Sequence, residues 1–199
     1  MYSKLKEISK KFDNVAFLDG QNLYFGTTKC EACAKKLGVD IQHIKLSDCT
    51  CGGAWAIDDK KFRVYLKDKY NITEAYYFLG YISEEQQDLY DNLQKTGFIL
   101  VFKEHSHGLR GKKKGNVDSD IIFSVMKKII DGDEFGKVYI VSGDGDYKKL
   151  VDFLIKKDKF GKMLFPNNKF ASSLYTRTGN NFASLEDIDV KAKIQYTKN

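Results

Sequence analysis

The sequence predicts an α/β fold, a mostly parallel central sheet covered by helices on both faces in a three-layer α/β/α arrangement. Three observations carry this expectation. Short continuous apolar runs recur along the chain, as strands buried on both faces require. Amphipathic segments of helical period separate most of them. The first and fourth runs end in aspartate and glycine, a composition suited to ligand-binding strand ends at the carboxyl rim of an open sheet.

Asn14 to Asp19 (NVAFLD) reads as a short buried strand ending in a carboxylate and followed by Gly20. Residues 20 to about 57 show no sustained period and carry all four cysteines. They read as an insertion after the first strand, with its cysteine-bearing part at 26–57, inside one domain spanning 1–199. Asp58 and Asp59 start a helix with Phe62, Tyr65, Leu66 and Lys69 on one face; Glu74 to Gly80 is the second strand. Ser83 caps a helix running through Leu93, and Phe98 to Lys103 is the third strand. After a basic loop, HSHGLRGKKKGN, Val117 to Ile130 is an amphipathic helix with Ile121, Ile122, Val125, Met126 and Ile129 inward. Lys137 to Val141 is the fourth strand, Tyr147 to Ile155 carries helical spacing, and Lys162 to Phe165 is a fifth strand closed by Pro166. The expected strand order is 3-2-1-4-5, which makes the first and fourth strands neighbours.

Composition narrows the class without naming a function. The 199 residues, 42% hydrophobic and 14% aromatic, suffice for one sizeable core. Thirty-three Lys and Arg against 27 Asp and Glu leave a net charge of +6, which suits a polyanionic partner without requiring one. No run approaches the ~18 apolar residues of a membrane helix, and the start MYSKLKEISKKF lacks a secretion signal's apolar core. A cytoplasmic protein with no membrane partner is expected; a second copy or another protein as partner stays open.

The carboxylates carry the chemistry. Asp19 closes the first strand, and Asp144 and Asp146 close the fourth. Asp118 opens the helix that leads into the fourth strand, on the helical face of Ile122 and Val125, so it should point in over the same rim; Asp120 lies about 200° further round. Converging carboxylates repel one another unless a cation neutralises them. Mg²⁺ or Mn²⁺ prefers such oxygens, and a metal held there activates water and offsets charge on a phosphodiester. No glycine–lysine phosphate loop is present, which disfavours nucleotide hydrolysis by that route. Taken singly, each motif is as well explained by helix capping or turn formation.

The segments FLDGQNLY (17–24), KGNVDSDI (114–121) and VSGDGDY (141–147), in this order and separation, resemble the NYN domain, the LabA-like branch of the PIN-like nuclease superfamily. The resemblance runs from about Asn14 to Pro166. It implies a PIN-like fold, a Mg²⁺- or Mn²⁺-dependent acidic site and action on RNA. Asp19 and Asn22 match its first motif, Asp118 the acid after the lysine-glycine pair, and Asp144 with Asp146 the last; Asn22 would orient Asp19 or a bound water. PIN domains commonly place another acid on an early helix, for which Glu84 and Glu85 are nominal candidates here. The implied activity is metal-dependent endoribonuclease hydrolysis. The competing class is a non-catalytic RNA-binding or regulatory module; a phosphatase acting on small substrates lacks a visible nucleophile.

Beside Asp118, Lys103, Arg110, Lys112, Lys113 and Lys114 form a basic cluster suited to phosphate contacts, with a solvated loop as the plain alternative. His105 and His107 in that loop are weaker candidates, as ligands or acid–base groups, and His43 is a substitute metal ligand beside the cysteines. Tyr24 and Phe25 suit base stacking, but core packing is the first expectation for both. Cys30-x2-Cys33 and Cys49-x-Cys51, with fifteen residues between the pairs, supply four thiols for a structural zinc ion; free or redox-active thiols are the other reading.

Overall fold

The computed structural model describes residues 12–80, 82–103, 116–175 and 181–197. Six parallel strands form one sheet in the order β3-β2-β1-β4-β5-β6: β1 Asn14–Asp19, β2 Ile72–Leu79, β3 Ile99–Phe102, β4 Val138–Val141, β5 Phe160–Phe165 and β6 Phe182–Ser184. The helices are α1 Gly20–Thr28, α2 Glu31–Leu37, α3 Asp59–Tyr70, α4 Gln87–Lys95, α5 Asp118–Ile130, α6 Lys148–Lys156 and α7 Ile188–Ile194.

Because side chains alternate across a strand, β1 feeds two cores. Ala16 and Leu18 join Phe62 and Leu66 of α3, Leu93 of α4 and Ile194 of α7. Val15 and Phe17 join Ile121 and Val125 of α5 and Leu150, Val151 and Leu154 of α6 on the opposite face. Three layers result, and the apolar runs are continuous because both strand faces are covered.

Most expected elements stand within a few residues of their expected bounds, but three features differ. Residues 20–28 and 31–37 are helical, so the irregular stretch is 38–58, with one three-ten turn at Leu46–Asp48. Helix α1 lacks an apolar stripe because it packs largely through small residues, burying Gly20, Gly26, Thr27 and Thr28 alongside Leu23. Glycine is required at 20: a Cβ there would stand 2.6 Å from the Phe78 carbonyl oxygen and 2.5 Å from the Tyr77 ring, where α1 leaves the sheet. The helix expected from Ser83 opens instead as a three-ten turn over Glu84–Gln86, with no side-chain cap from Ser83. The chain also continues past Pro166 into β6 and α7; three residues of strand are too few to show a period.

Candidate functional site

The first and fourth strands are neighbours, with Leu18 opposite Val141, so the segments that follow them emerge side by side. Asp19 Oδ1 accepts the Asn22 N–H at 2.9 Å and caps α1. Asp144 Oδ1 accepts the Asp146 N–H at 3.0 Å and caps the three-ten turn Gly145–Tyr147. Each carboxylate is thus oriented through one oxygen. The Asn22 side chain ties the two segments together, its Oδ1 accepting the Gly143 N–H at 2.9 Å. The backbone of Asn22 thus orients Asp19, while its side chain positions the β4 turn.

Asp118 reaches the rim as expected, entered through Asn116, whose Oδ1 accepts the Asp118 N–H at 2.8 Å. Carboxylate oxygens of Asp118, Asp144 and Asp146 lie within 4.8 Å of one another. Asp19 is outside that group but lines the same 350 Å³ cleft with Asp118, Asp144, Asn22, Phe25 and Asn116. Asp120 joins neither set, and its Oδ2 is buried without a hydrogen-bond partner among the described residues. Glu84 and Glu85 do not join the acidic group either.

The electrostatics are those of crowded anions. Asp19 is only 5% exposed, and burial pushes its carboxyl up from 3.8 to about 6. The Asn22 N–H and Tyr147 hydroxyl oppose that shift, whereas the charges of Asp118 and Asp144 add to it. Among the described residues none of these aspartates is ion-paired.

Tyr147 was legible in the sequence only as a core residue. It is fully buried, yet its hydroxyl donates to Asp118 Oδ1 at 2.6 Å and stands 3.3 Å from Asp19 Oδ2, linking the two acids. Burial, then the charge of Asp19, push its own ionisation far upward, so it remains a donor. Tyr175 likewise braces the rim, donating to the Asp144 carbonyl at 2.5 Å. The signal for Tyr147 was its position directly after Asp-Gly-Asp; Tyr175 had none.

Lys103 stands at this rim, its ammonium donating to the Asn116 carbonyl. Arg110, Lys112, Lys113, Lys114, His105 and His107 lie outside the described residues. Tyr24 is not core: it is 60% exposed, and Phe25 is half-buried, lining the acidic cleft and packing 5.5 Å from the Phe170 ring. Tyr24 also borders an apolar cavity of 580 Å³ with Leu23, Leu46, Ile57, Tyr77 and Leu89. The four cysteine sulfurs form a second group, separate from the acids and without His43.

An all-parallel α/β sheet with an aspartate cleft at its carboxyl rim fits the PIN-like class. The NYN domain family model matches residues 15–186, and the chain belongs to that family, within the PIN-like nuclease superfamily. It is similar to the low amplitude and bright protein LabA of Synechococcus elongatus, with 20% identity over 86% of this chain and 83% of that protein. Its fold is also that of a protein of unknown function, VPA0982, from Vibrio parahaemolyticus. There the TM-score is 0.63 at 19% identity, over 98% of this chain and all of the other. Among the described residues no helix is long and apolar enough to cross a membrane.

Proposed function

We propose that the protein is a metal-dependent endoribonuclease. The observation that carries this reading is the convergence of Asp118, Asp144 and Asp146 within 4.8 Å beside the buried Asp19, none of them ion-paired to another described residue. An all-oxygen carboxylate set fits Mg²⁺ or Mn²⁺ better than a softer metal. Asp19, Asp118, Asp144 and Asp146 would hold it. When bound, such an ion supplies charge stabilisation to a phosphodiester under attack and lowers the pKa of water.

The chain's own groups do the positioning. Tyr147 holds the Asp118 carboxylate beside Asp19, and Asn22 fixes the spacing of the β1 and β4 ends. The oriented oxygens therefore require little rearrangement as charge develops, which is where preorganised sites gain their rate. Phe25, which lines the cleft, offers a ring face for an unstacked base, which supports a single-stranded RNA segment as substrate. Lys103 and the lysine- and arginine-rich stretch before Asn116 supply sequence-independent phosphate contacts.

The test compares wild type with Asp118→Asn on labelled RNA and DNA in Mg²⁺, Mn²⁺ or EDTA. The expected result is RNA cleavage that needs the metal and disappears in the variant, with RNA binding largely kept. Cleavage that persists in EDTA, or equally in the variant, overturns the mechanism. Binding without cleavage in wild type favours a non-catalytic RNA-binding module.

A further inference from the structure

The cysteine group lies apart from the acidic cleft, on the segment that joins α1 to α3. Two pieces of chain bring its sulfurs together. Cys30 directly precedes α2 and Cys33 lies within it, while Cys49 and Cys51 follow the three-ten turn Leu46–Asp48. Cys30 Sγ is 3.3 Å from Cys51 Sγ; Cys33 Sγ is 3.5 Å from Cys51 Sγ and 3.9 Å from Cys49 Sγ; Cys49 and Cys51 are 3.8 Å apart. All four thiols are free, and their separations far exceed a disulfide bond of about 2.05 Å. Four sulfurs at about 2.3 Å from one central ion would stand about 3.8 Å apart along the edges of a tetrahedron. The observed separations bracket that value.

The surrounding chain is shaped to the sulfurs. The Ala54 N–H donates to Cys49 Sγ at 3.2 Å. A Cβ at Gly53 would come within 3.0 Å of Cys30 Sγ and 3.3 Å of Cys51 Sγ, and Gly52 makes the turn at φ 74°. The local core is small: Cys30, Cys33, Ala34 and Ile44 are its buried members. Four side chains, two of them thiols, bury too little apolar surface to order a segment of this length unaided.

We infer that Cys30, Cys33, Cys49 and Cys51 form a closed, four-thiolate structural zinc site. Thiolates select zinc over the hard cations suited to the acidic cleft, and four protein ligands leave no open position for catalysis. The site acts as a clasp. Its segment is braced to α1 by Lys29, whose ammonium donates to the Gln42 and Ile44 carbonyls at 2.9 and 2.6 Å, and by the Trp55 N–H on the Thr27 carbonyl at 2.8 Å. Phe25 of α1 lines both the acidic cleft and a groove against Glu31, Ala34 and Lys35 of α2. The clasp therefore holds one flank of the cleft without entering it.

The experiment measures metal content by mass spectrometry of the elements, on the full chain purified under reducing conditions without added zinc. The expected result is one zinc per chain, kept in an Asp118→Asn, Asp144→Asn double variant and lost in a Cys30→Ser, Cys51→Ser variant. Should the cysteine variant fail to fold, cobalt exchange into the wild type reads the same site through the visible bands of tetrahedral thiolate coordination. Fresh, reduced wild type that holds no zinc and develops no such bands overturns the inference. So does zinc that follows the aspartates instead of the cysteines, or a pair of disulfides in the purified chain. None of these outcomes depends on whether the protein cleaves RNA.

Discussion

Replacing Asp19 by Asn should make the metal-free protein more stable while abolishing its activity. Asp19 is raised from 3.8 to about 6 in the fold, chiefly by burial. A carboxylate with a raised folded-state pKa binds its proton more tightly when folded, so it costs stability once pH exceeds the unfolded value. The cost grows from about pH 4 and is complete above about pH 6. At about 1.4 kcal/mol per pKa unit the full cost is about 3 kcal/mol, worth up to roughly 6–12 °C in a domain of this size. Asparagine keeps the cap, since its side-chain oxygen also accepts the N–H that Asp19 Oδ1 takes from Asn22. Urea unfolding of wild type and variant in EDTA should therefore differ most at pH 7.5, with the variant more stable, and by about a third as much at pH 4.5. Mg²⁺ or Mn²⁺ should stabilise wild type at pH 7.5 and narrow the gap, because binding to the folded state alone shifts the equilibrium. A gap of equal size at both pH values, or a variant less stable at pH 7.5, would refute the argument that Asp19 is a buried anion awaiting a cation.

Tyr147→Phe removes the hydroxyl that donates to Asp118 at 2.6 Å; it should cost about 1.5–3 kcal/mol in urea melts and slow cleavage while leaving zinc content unchanged. Gly20→Ala would place a methyl against the Phe78 carbonyl, so α1 must shift; a stability loss of about 1–3 kcal/mol accompanied by lost cleavage is expected. Phe62→Ala empties a fully buried position in the core that does not contain Tyr147; a loss of about 3–5 kcal/mol is expected, with metal-dependent cleavage retained at temperatures where the variant is folded. Stripping zinc with a thiol-reactive mercurial followed by a chelator should loosen the backbone around Lys35 and Lys36 of α2 and Lys45 beyond it, so that trypsin cuts first at these exposed lysines and leaves the sheet protected.

Strands β1 and β4 were legible because burial on both faces strips polar residues from them, leaving the runs NVAFLD and KVYIV, and β2, β3 and β5 from shorter apolar runs such as AYYFL, FILVF and KMLF. Their order placed Asp19 beside the Asp144 turn before any geometry was known. Asp118 was legible from helical phase, sharing its face with Val125, which is fully buried. Helix α1 was not legible, because it buries glycines and threonines and offers no apolar period. Nor was Tyr147: a tyrosine at core spacing has the same pattern whether its hydroxyl faces apolar atoms or bridges two acids. Tyr24 shows the opposite limit, an aromatic in a short helix that is exposed because α1 turns that side toward the apolar cavity.

Capping alone does not account for Asp19, and the chain contains its own comparison. Asp58 does the same work at α3, its Oδ1 accepting the Lys61 N–H at 3.0 Å, against 2.9 Å for Asn22 on Asp19. Asp58 is partly exposed and has the Lys61 ammonium 3.8 Å from its other oxygen, so its charge is met by solvent and a cation. Among the described residues Asp19 has neither: it is buried, Asp118 and Asp144 add repulsion, and its second oxygen has a neutral hydroxyl 3.3 Å away. A residue selected only to cap a helix gains nothing from such surroundings, since asparagine or serine would cap as well without the charge penalty. The penalty is understandable if the anion is used, because the Asp118 and Asp144 charges that add to the effect of burial are the charges that would draw a divalent cation into the cleft. A favourable Asp19→Asn stability change with lost activity would be the measured signature of that exchange.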